Sequence, residues 1–363
     1  MIVHCAETVR GGVATYLSEI LPLQVRDFGY GNVHLILPSN QISDVLVPEG
    51  VLVTGFVAAS SRIVSAFRLA LCLRKILRSK KFKLVHLHSS YAGTFARVYV
   101  GLFSVAKLVY CSHGWAWDAY QNFVLRRTVG LIEKFLSKFC SIIICISNYE
   151  FQRALVYGVP ENKMRMIPNA LGGVDDLGFA TCAMEGWPAQ GFRVLFVGRL
   201  DHQKGIDIFM GAMRQLVGEA VGQVVGDRVR GDASSESVPS NVLCSGWKSR
   251  SEIYSIMRSA DVLVVPSRWE GFGLVALEGM RAGLPLIVSN AGALTEIVVD
   301  GETGIVFENG SVKSLVEAIR RIKILDRGAM GSAGFIRWSE KYSISRLHSD
   351  LMNVYADLNK ESQ

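Results

Sequence analysis

The chain has 363 residues, 50% apolar and 20% charged, with a net charge of +7. So large an apolar share excludes a disordered chain, and at about 150 residues per domain the length points to two or three domains. The opening residues lack a basic start followed by a long apolar region, so no signal peptide is expected. No run approaches the roughly 18 uncharged apolar residues of a membrane span.

In chain order, apolar runs of strand length alternate with amphipathic stretches of helix length. Strands are expected at Val33–Pro38, Leu84–His88, Lys107–Cys111, Ser141–Ile146, Arg193–Val197 and Val262–Pro266. These runs are apolar without alternation, as strands covered on both faces should be. Helices are expected at Val13–Val25, Ser61–Arg78, Val124–Phe139, Ile206–Val217, Ser251–Ser259, Gly273–Ala282 and Ile344–Asn359. The order implies an α/β protein with parallel sheets. A stretch punctuated by Gly and Pro reads as a linker, after which the pattern restarts. The expected layout is therefore two doubly wound, Rossmann-like domains facing each other across a cleft, at 1–180 and 193–342, joined by a linker at 181–192. Residues 343–363 would return as a helix to the first domain, and a polar loop is expected at 228–241. A ligand belongs outside the carboxyl ends of the strands.

Seven cysteines, an odd number with no Cys-x-x-Cys pair, fit buried thiols in a reducing cytoplasm rather than a disulfide or zinc framework. Residues 1–185 hold 19 Lys and Arg against 12 Asp and Glu, whereas the remainder holds 20 of each. The first half should therefore face something anionic. Six of its cations, Arg74, Lys75, Arg78, Lys80, Lys81 and Lys83, crowd the end of one amphipathic stretch. A basic amphipathic helix of this kind lies on an anionic leaflet, although an ordinary surface helix with a basic end looks similar.

The strongest chemical constellation is Pro266-Ser-Arg-Trp-Glu270-Gly271-Phe272-Gly273-Leu274-Val-Ala-Leu-Glu278. A strand ends, a glycine-punctuated turn follows and a helix opens, and its free N–H groups make an anion site suited to a diphosphate. Glu270 on the turn and Glu278 in the helix stand at different heights, one for a sugar and one for a ribose. A second constellation, Gly198-Arg199-Leu-Asp-His-Gln-Lys204-Gly205, puts two cations between a strand and a helix, where they can neutralise a leaving diphosphate. Gly11-Gly12 precedes the first helix and fits phosphate or sugar contact, and it does not match the Gly-x-Gly-x-x-Gly dinucleotide pattern. His113 follows a strand end, where α/β sites form. His86 and His88 share one strand face, but no third ligand lies near them in sequence, so no metal site is expected there. Nor is there an Asp-x-Asp pair to hold a metal-bound diphosphate, which favours charge stabilisation without a metal or other cofactor.

These residues resemble the retaining GT-B glycosyltransferases of family 4 (glycosyl transferases group 1). The Glu-x7-Glu spacing of Glu270 and Glu278 carries the likeness, extended by Gly283-Leu-Pro285, Gly292, Glu296, Asp300-Gly301-x-x-Gly304, Ile167-Pro-Asn169, Ser147-Asn148, His113-Gly114 and Gly11-Gly12. The opening Ala6-Glu-Thr-x-x-Gly-Gly-Val-Ala-Thr looks most like bacterial enzymes that build O-antigen, capsule or exopolysaccharide. The resemblance implies that Arg199, Lys204 and the amides of Phe272, Gly273 and Leu274 hold the donor diphosphate. It further implies that Glu270 holds the sugar, Glu278 the ribose and His113 the sugar from the first domain, with Gly12 against the phosphates. The partners it implies are a nucleotide-sugar donor and a glycan or polyprenyl-diphosphate-linked acceptor, with no nucleic acid. The enzyme is expected to sit peripherally on the inner face of the cytoplasmic membrane. Two departures stand out: Ala170 replaces the usual glycine after Asn169, and of the family's Gly-Asp-Gly-Pro only Gly226-Asp227 remains, which leaves the base pocket, bordered by Gly246-Trp247, undefined. The competing readings are a sugar-nucleotide epimerase of the same architecture and a non-catalytic sugar-nucleotide-binding protein.

Overall fold

The computed structural model describes residues 1–9, 11–79, 82–120, 122–173, 187, 191–227 and 237–360. Lys80, Lys81, most of the expected linker at 181–192 and most of the expected loop at 228–241 lie outside the described residues. The chain divides into two units: Met1–Gly172 with Ile344–Gln363, and Gly173–Ser343.

The first unit runs β1 (Ile2–Ala6), α1 (Gly12–Phe28), β2 (Val33–Pro38), β3 (Val51–Phe56), α2 (Arg62–Ser79), β4 (Leu84–His88), α3 (Gly93–Phe103), β5 (Lys107–Cys111), α4 (Phe123–Ser137), β6 (Ile142–Cys145), α5 (Asn148–Val156) and β7 (Met164–Met166). Its seven strands are all parallel in the order β3-β2-β1-β4-β5-β6-β7. The second unit runs β8 (Phe192–Val197), α6 (Ile206–Gln215), β9 (Ala220–Val225), β10 (Val242–Cys244), α7 (Arg250–Ser259), β11 (Val262–Val265), α8 (Leu274–Arg281), β12 (Leu286–Ser289), α9 (Leu294–Ile297), β13 (Gly304–Phe307), α10 (Val312–Lys323) and α11 (Arg327–Lys341). Its six parallel strands are ordered β10-β9-β8-β11-β12-β13. The last helix, α12 (Ile344–Lys360), belongs to the first unit, where the Arg346 guanidinium donates to the Pro168 carbonyl at 2.6 Å and His348 meets Asp27 at 2.7 Å.

Burial follows from the sequence. Central strands such as Ile142–Cys145 and Val262–Val265 are buried at every residue, because helices cover both faces of each sheet. In the first unit Val3, Cys5, Val85 and Leu87 meet Leu69 and Leu73 of α2 and Ala96 and Val100 of α3. The alternate residues His4, His86 and His88 therefore point to the opposite face, toward α1 and α12. In the second unit Val194, Phe196, Val264 and Ile287 pack with Phe209 and Met213 of α6 and Leu315 and Ile319 of α10.

Each sheet reverses its winding once, between β1 and β4 and between β8 and β11. Ligands of doubly wound sheets bind beyond the carboxyl ends of the strands at that reversal. Four of the described cysteines (Cys5, Cys111, Cys140 and Cys145) are buried, Cys72 is half-buried and Cys244 is exposed.

Candidate active site

In the second unit, the strands flanking the reversal deliver both sequence constellations to the same end of the sheet. β8 stops at Val197, and Gly198 and Arg199 follow; β11 stops at Val265, and the turn through Glu270 leads to α8. Gly205 turns the chain into α6 with φ 70°, and a Cβ there would lie 2.0 Å from the Pro266 carbonyl oxygen, so only glycine lets the two loops meet. Gly292 stands in the same relation to the Glu270 carbonyl, again at 2.0 Å. Gly273, left-handed at φ 105° and ψ 59°, caps α8 and leaves the N–H groups of its first turn free of side-chain caps.

Lys204 and Glu270 form a direct ion pair, and Glu270 is 8% exposed. The Ser267 hydroxyl donates to the same carboxylate oxygen of Glu270 at 3.0 Å. Arg199 donates to Gln203 Oε1 at 2.7 Å and pairs with Asp201 at 2.9 Å. Gln203 in turn donates to the carbonyl of Trp269, the residue before Glu270, at 3.2 Å. Arg199, Lys204 and Glu270 are thus tied into one network, and Lys204 and Glu270, read from the sequence as separate groups, are coupled. Glu278 lies half-buried in the second turn of α8.

The sequence reading missed the residues that hold this network. The Asp201 carboxylate accepts from the Lys204 backbone N–H at 2.9 Å, a turn signal three residues ahead of Lys204 that was available in the sequence. Arg268 grips Asp207 with two hydrogen bonds, at 2.7 and 2.5 Å, and donates to the His202 carbonyl at 2.9 Å. That contact holds the Asp207 carboxyl below the usual carboxylate range. No local pattern announces a pair that sits 61 residues apart.

In the first unit Gly11, with φ 87°, caps α1, and Gly11 and Gly12 are both exposed at its start. Arg10 lies outside the described residues. His113 is half-buried just beyond β5 with φ 52°, left-handed and unusual for a residue bearing a Cβ. Its Nε2 lies 2.9 Å from His88 Nδ1. The expectation that His86 and His88 have no third partner is corrected: β1 pairs in parallel with β4, setting His4 opposite His86, and nitrogens of all three rings fall within 4.8 Å of one another. Burial pushes His4 down to about 4 and His113 to about 3, and holds His86 and His88 well below the usual histidine range, so the cluster is neutral at pH 7.

Arg74, Lys75, Arg78 and Lys83 are all exposed, the first three on α2 and Lys83 just before β4. No helix among the described residues is long and apolar enough to cross a membrane.

Comparison with known proteins places the chain in a family. Residues 10–172 match the family model Glycosyltransferase Family 4, and residues 183–329 match Glycosyl transferases group 1. An uncharacterised 41.2 kDa protein of the cps region of Klebsiella pneumoniae is 30% identical over 99% of both chains. The UDP-Gal:alpha-D-GlcNAc-diphosphoundecaprenol alpha-1,3-galactosyltransferase of Escherichia coli is 28% identical over 72% of this chain and 71% of its own. Among solved structures, Anabaena HepE in complex with UDP-glucose matches with a TM-score of 0.80 at 17% identity, covering 98% of this chain and 100% of that one. With two parallel doubly wound units, both family models matched and a full-length relative at 30% identity, the chain belongs to the family 4, group 1 glycosyltransferases and is an enzyme of the GT-B fold.

Proposed function

We propose that this enzyme moves a sugar, with retained anomeric configuration and without a metal, from a nucleoside-diphosphate sugar to a glycan or polyprenyl-diphosphate-linked glycan of a bacterial surface polysaccharide. The observation that carries the reading is the Lys204–Glu270 pair at the carboxyl ends of β8 and β11, beside the uncapped start of α8. A diphosphate entering there meets the amides of Phe272, Gly273 and Leu274 and draws Lys204 and Arg199 toward itself. Glu270, released from Lys204, accepts from sugar hydroxyls, and Glu278 takes the ribose. His113 contacts the sugar, and Gly12 lies against the phosphates.

As the glycosidic bond breaks, negative charge grows on the phosphate, and the two cations stabilise it where it appears. The departing phosphate accepts the proton of the acceptor hydroxyl, so no further protein base is needed for same-face attack. The E. coli relative, named for UDP-Gal and a diphosphoundecaprenol-linked acceptor, supports the choice of donor and acceptor classes. The UDP-glucose held by HepE supports the donor class again.

A seat on an anionic membrane surface is supported by α2. Ile63, Phe67 and Leu71 are exposed at four-residue intervals, and Arg74, Lys75 and Arg78 continue along the outer side of the helix. Phe67 meets Phe95 of α3 edge to face at 5.7 Å, and α4 adds exposed Phe123, Leu131 and Phe135. So much bare apolar surface among cations supports a lipid-facing side.

The test is a panel of nucleotide sugars, each incubated with and without a polyprenyl-diphosphate-linked glycan, with and without chelator. The expected result is acceptor-dependent nucleotide release that survives chelation, with product of retained configuration. Inverted product or chelator-abolished turnover overturns the mechanism, and no transfer from any donor overturns the reading.

A further inference from the structure

His113 stands at the end of a line of buried side chains. Gln24 Oε1 lies 2.6 Å from His4 Nε2, His4 Nδ1 lies 2.9 Å from His88 Nε2, and His88 Nδ1 lies 2.9 Å from His113 Nε2. Gln24, His4 and His88 have no exposed surface. Each of the three contacts needs one proton between its two atoms, and a neutral imidazole carries one N–H. The amide oxygen of Gln24 only accepts, so the proton of His4 sits on Nε2 and its Nδ1 is bare. His88 must then donate from Nε2, which leaves its Nδ1 bare, and His113 must donate from Nε2.

We propose that Gln24 sets the tautomer of His113 through His4 and His88, so that His113 offers a bare Nδ1 to a hydroxyl of the transferred sugar. The proposal rests on the sugar-contacting role given to His113 above. Gln24, His4 and His88 are positioning residues that do not touch the substrate. One observation ties the line to function rather than to packing alone. Ser89 (φ 79°), which follows His88, and His113 (φ 52°) are the only described non-glycine residues with positive φ. Such backbone costs about 1–3 kcal/mol per residue and persists where the surroundings enforce it. Tyr16 then closes the line from the side, its ring 4.7 Å from His113 and 5.5 Å from His88. His86 stays out of the line, because its Nδ1 is taken by the Tyr355 hydroxyl at 2.7 Å. If a metal on His4, His86 and His88 took His4 Nδ1 and His88 Nε2, both would have to be bare, which would reverse the proton order of His88 and His113.

The experiment reads ring tautomers of the full chain, labelled with ¹⁵N-histidine, by long-range ¹H–¹⁵N correlation without substrate. His4, His88 and His113 should all be protonated on Nε2 at neutral pH. In Gln24→Leu the three rings should lose that single tautomer together, and kcat should fall roughly 10- to 100-fold, the cost of losing the outer partner of a metal-bound imidazole taken as a scale, with donor KM nearly unchanged. Gln24→Glu, which keeps an acceptor, should restore the tautomers and most of the lost kcat. A proton on Nδ1 of His113 in the unsubstituted chain, a His113 tautomer indifferent to Gln24→Leu, or stoichiometric zinc in the purified protein would each overturn the proposal. If Gln24→Leu fails to fold, the unsubstituted chain still decides the proton order. Coupled rings with unchanged kcat overturn the positioning role and leave the transferase reading standing. Failure of every donor overturns that reading whatever the tautomers show.

Discussion

The two units share one strand order over six strands, yet their winding reversals are furnished in different proportions of charged and neutral groups. Beyond β8 and β11 the second unit gathers ions in pairs: Lys204 with Glu270, Arg199 with Asp201, Arg268 with Asp207. At β1 and β4 the first unit gathers four imidazoles, two phenols and an amide, all uncharged, beside a single ion pair in which Arg62 grips Glu7, the residue that follows β1. Position is given by topology, and chemistry by residue type. Paired ions already held in place suit a ligand that brings charge and can exchange partners with them. Neutral donors and acceptors suit hydroxyl groups, which a buried charge would bind at the cost of its own desolvation.

The ion pair of the first unit whose two partners are both buried lies away from the reversal. Arg97 and Glu133 meet at 2.8 Å between α3 and α4, with side chains 0% and 5% exposed, and the guanidinium lies 4.0 Å from the centre of the Tyr110 ring. Removing one partner strands the other, so Arg97→Leu should cost about 3–5 kcal/mol of stability in denaturant unfolding. Double replacement with Glu133→Leu should recover much of it. A single variant as stable as the unsubstituted protein would break the distinction between a structural pair in one unit and exchangeable pairs in the other.

Lys204→Ala probes the exchangeable kind. Losing one group that stabilises developing charge costs roughly 2.7–4 kcal/mol of barrier, so kcat should fall about 10²–10³-fold while donor KM changes little. A raised KM with kcat intact would make Lys204 a ground-state binder and weaken the contrast.

The neutral cluster predicts a pH effect of definite sign. His4 is held at about 4 when folded against 6.5 when free, so the unfolded chain binds more protons between those values. Stability is then complete above pH 6.5 and lost as pH falls, by about 1.4 kcal/mol per pH unit for that ring, and His86 and His88 act in the same direction. His4→Asn should flatten the acid limb of a plot of stability against pH. An unchanged slope would mean that the cluster is hydrated rather than sealed.

How much of this the sequence disclosed depends on distance along the chain. Lys107–Cys111 and Val262–Val265 were legible because burial on both faces leaves an unbroken apolar run. Residues 164–166 (β7) and 242–244 (β10), three-residue strands with two exposed residues each, leave no such trace. Glu270, Gly273 and Glu278 were legible because one turn and one helix bring them near each other. The imidazole line was not, since its contacts join residues 20, 84 and 25 positions apart, and Tyr355 reaches His86 across 269. Only the register of β1 against β4 reveals His4 as the third ring.

The smallest expected effect sharpens the comparison at the surface, where the first unit carries the excess positive charge. Each Lys or Arg near an anionic leaflet contributes about 1 kcal/mol, close to fivefold in partitioning. Sedimentation with liposomes containing anionic lipid should therefore show binding that weakens with salt and drops by about that factor for each of Arg74→Gln, Lys75→Gln and Arg78→Gln. Phe67→Ser and Leu71→Ser should lower binding at every salt concentration, because their contribution is apolar and unscreened. If the three neutralised variants bind as the unsubstituted chain does, the cations of α2 face water alone, and the exposed Phe67, Leu71 and Phe135 are left to account for any attachment.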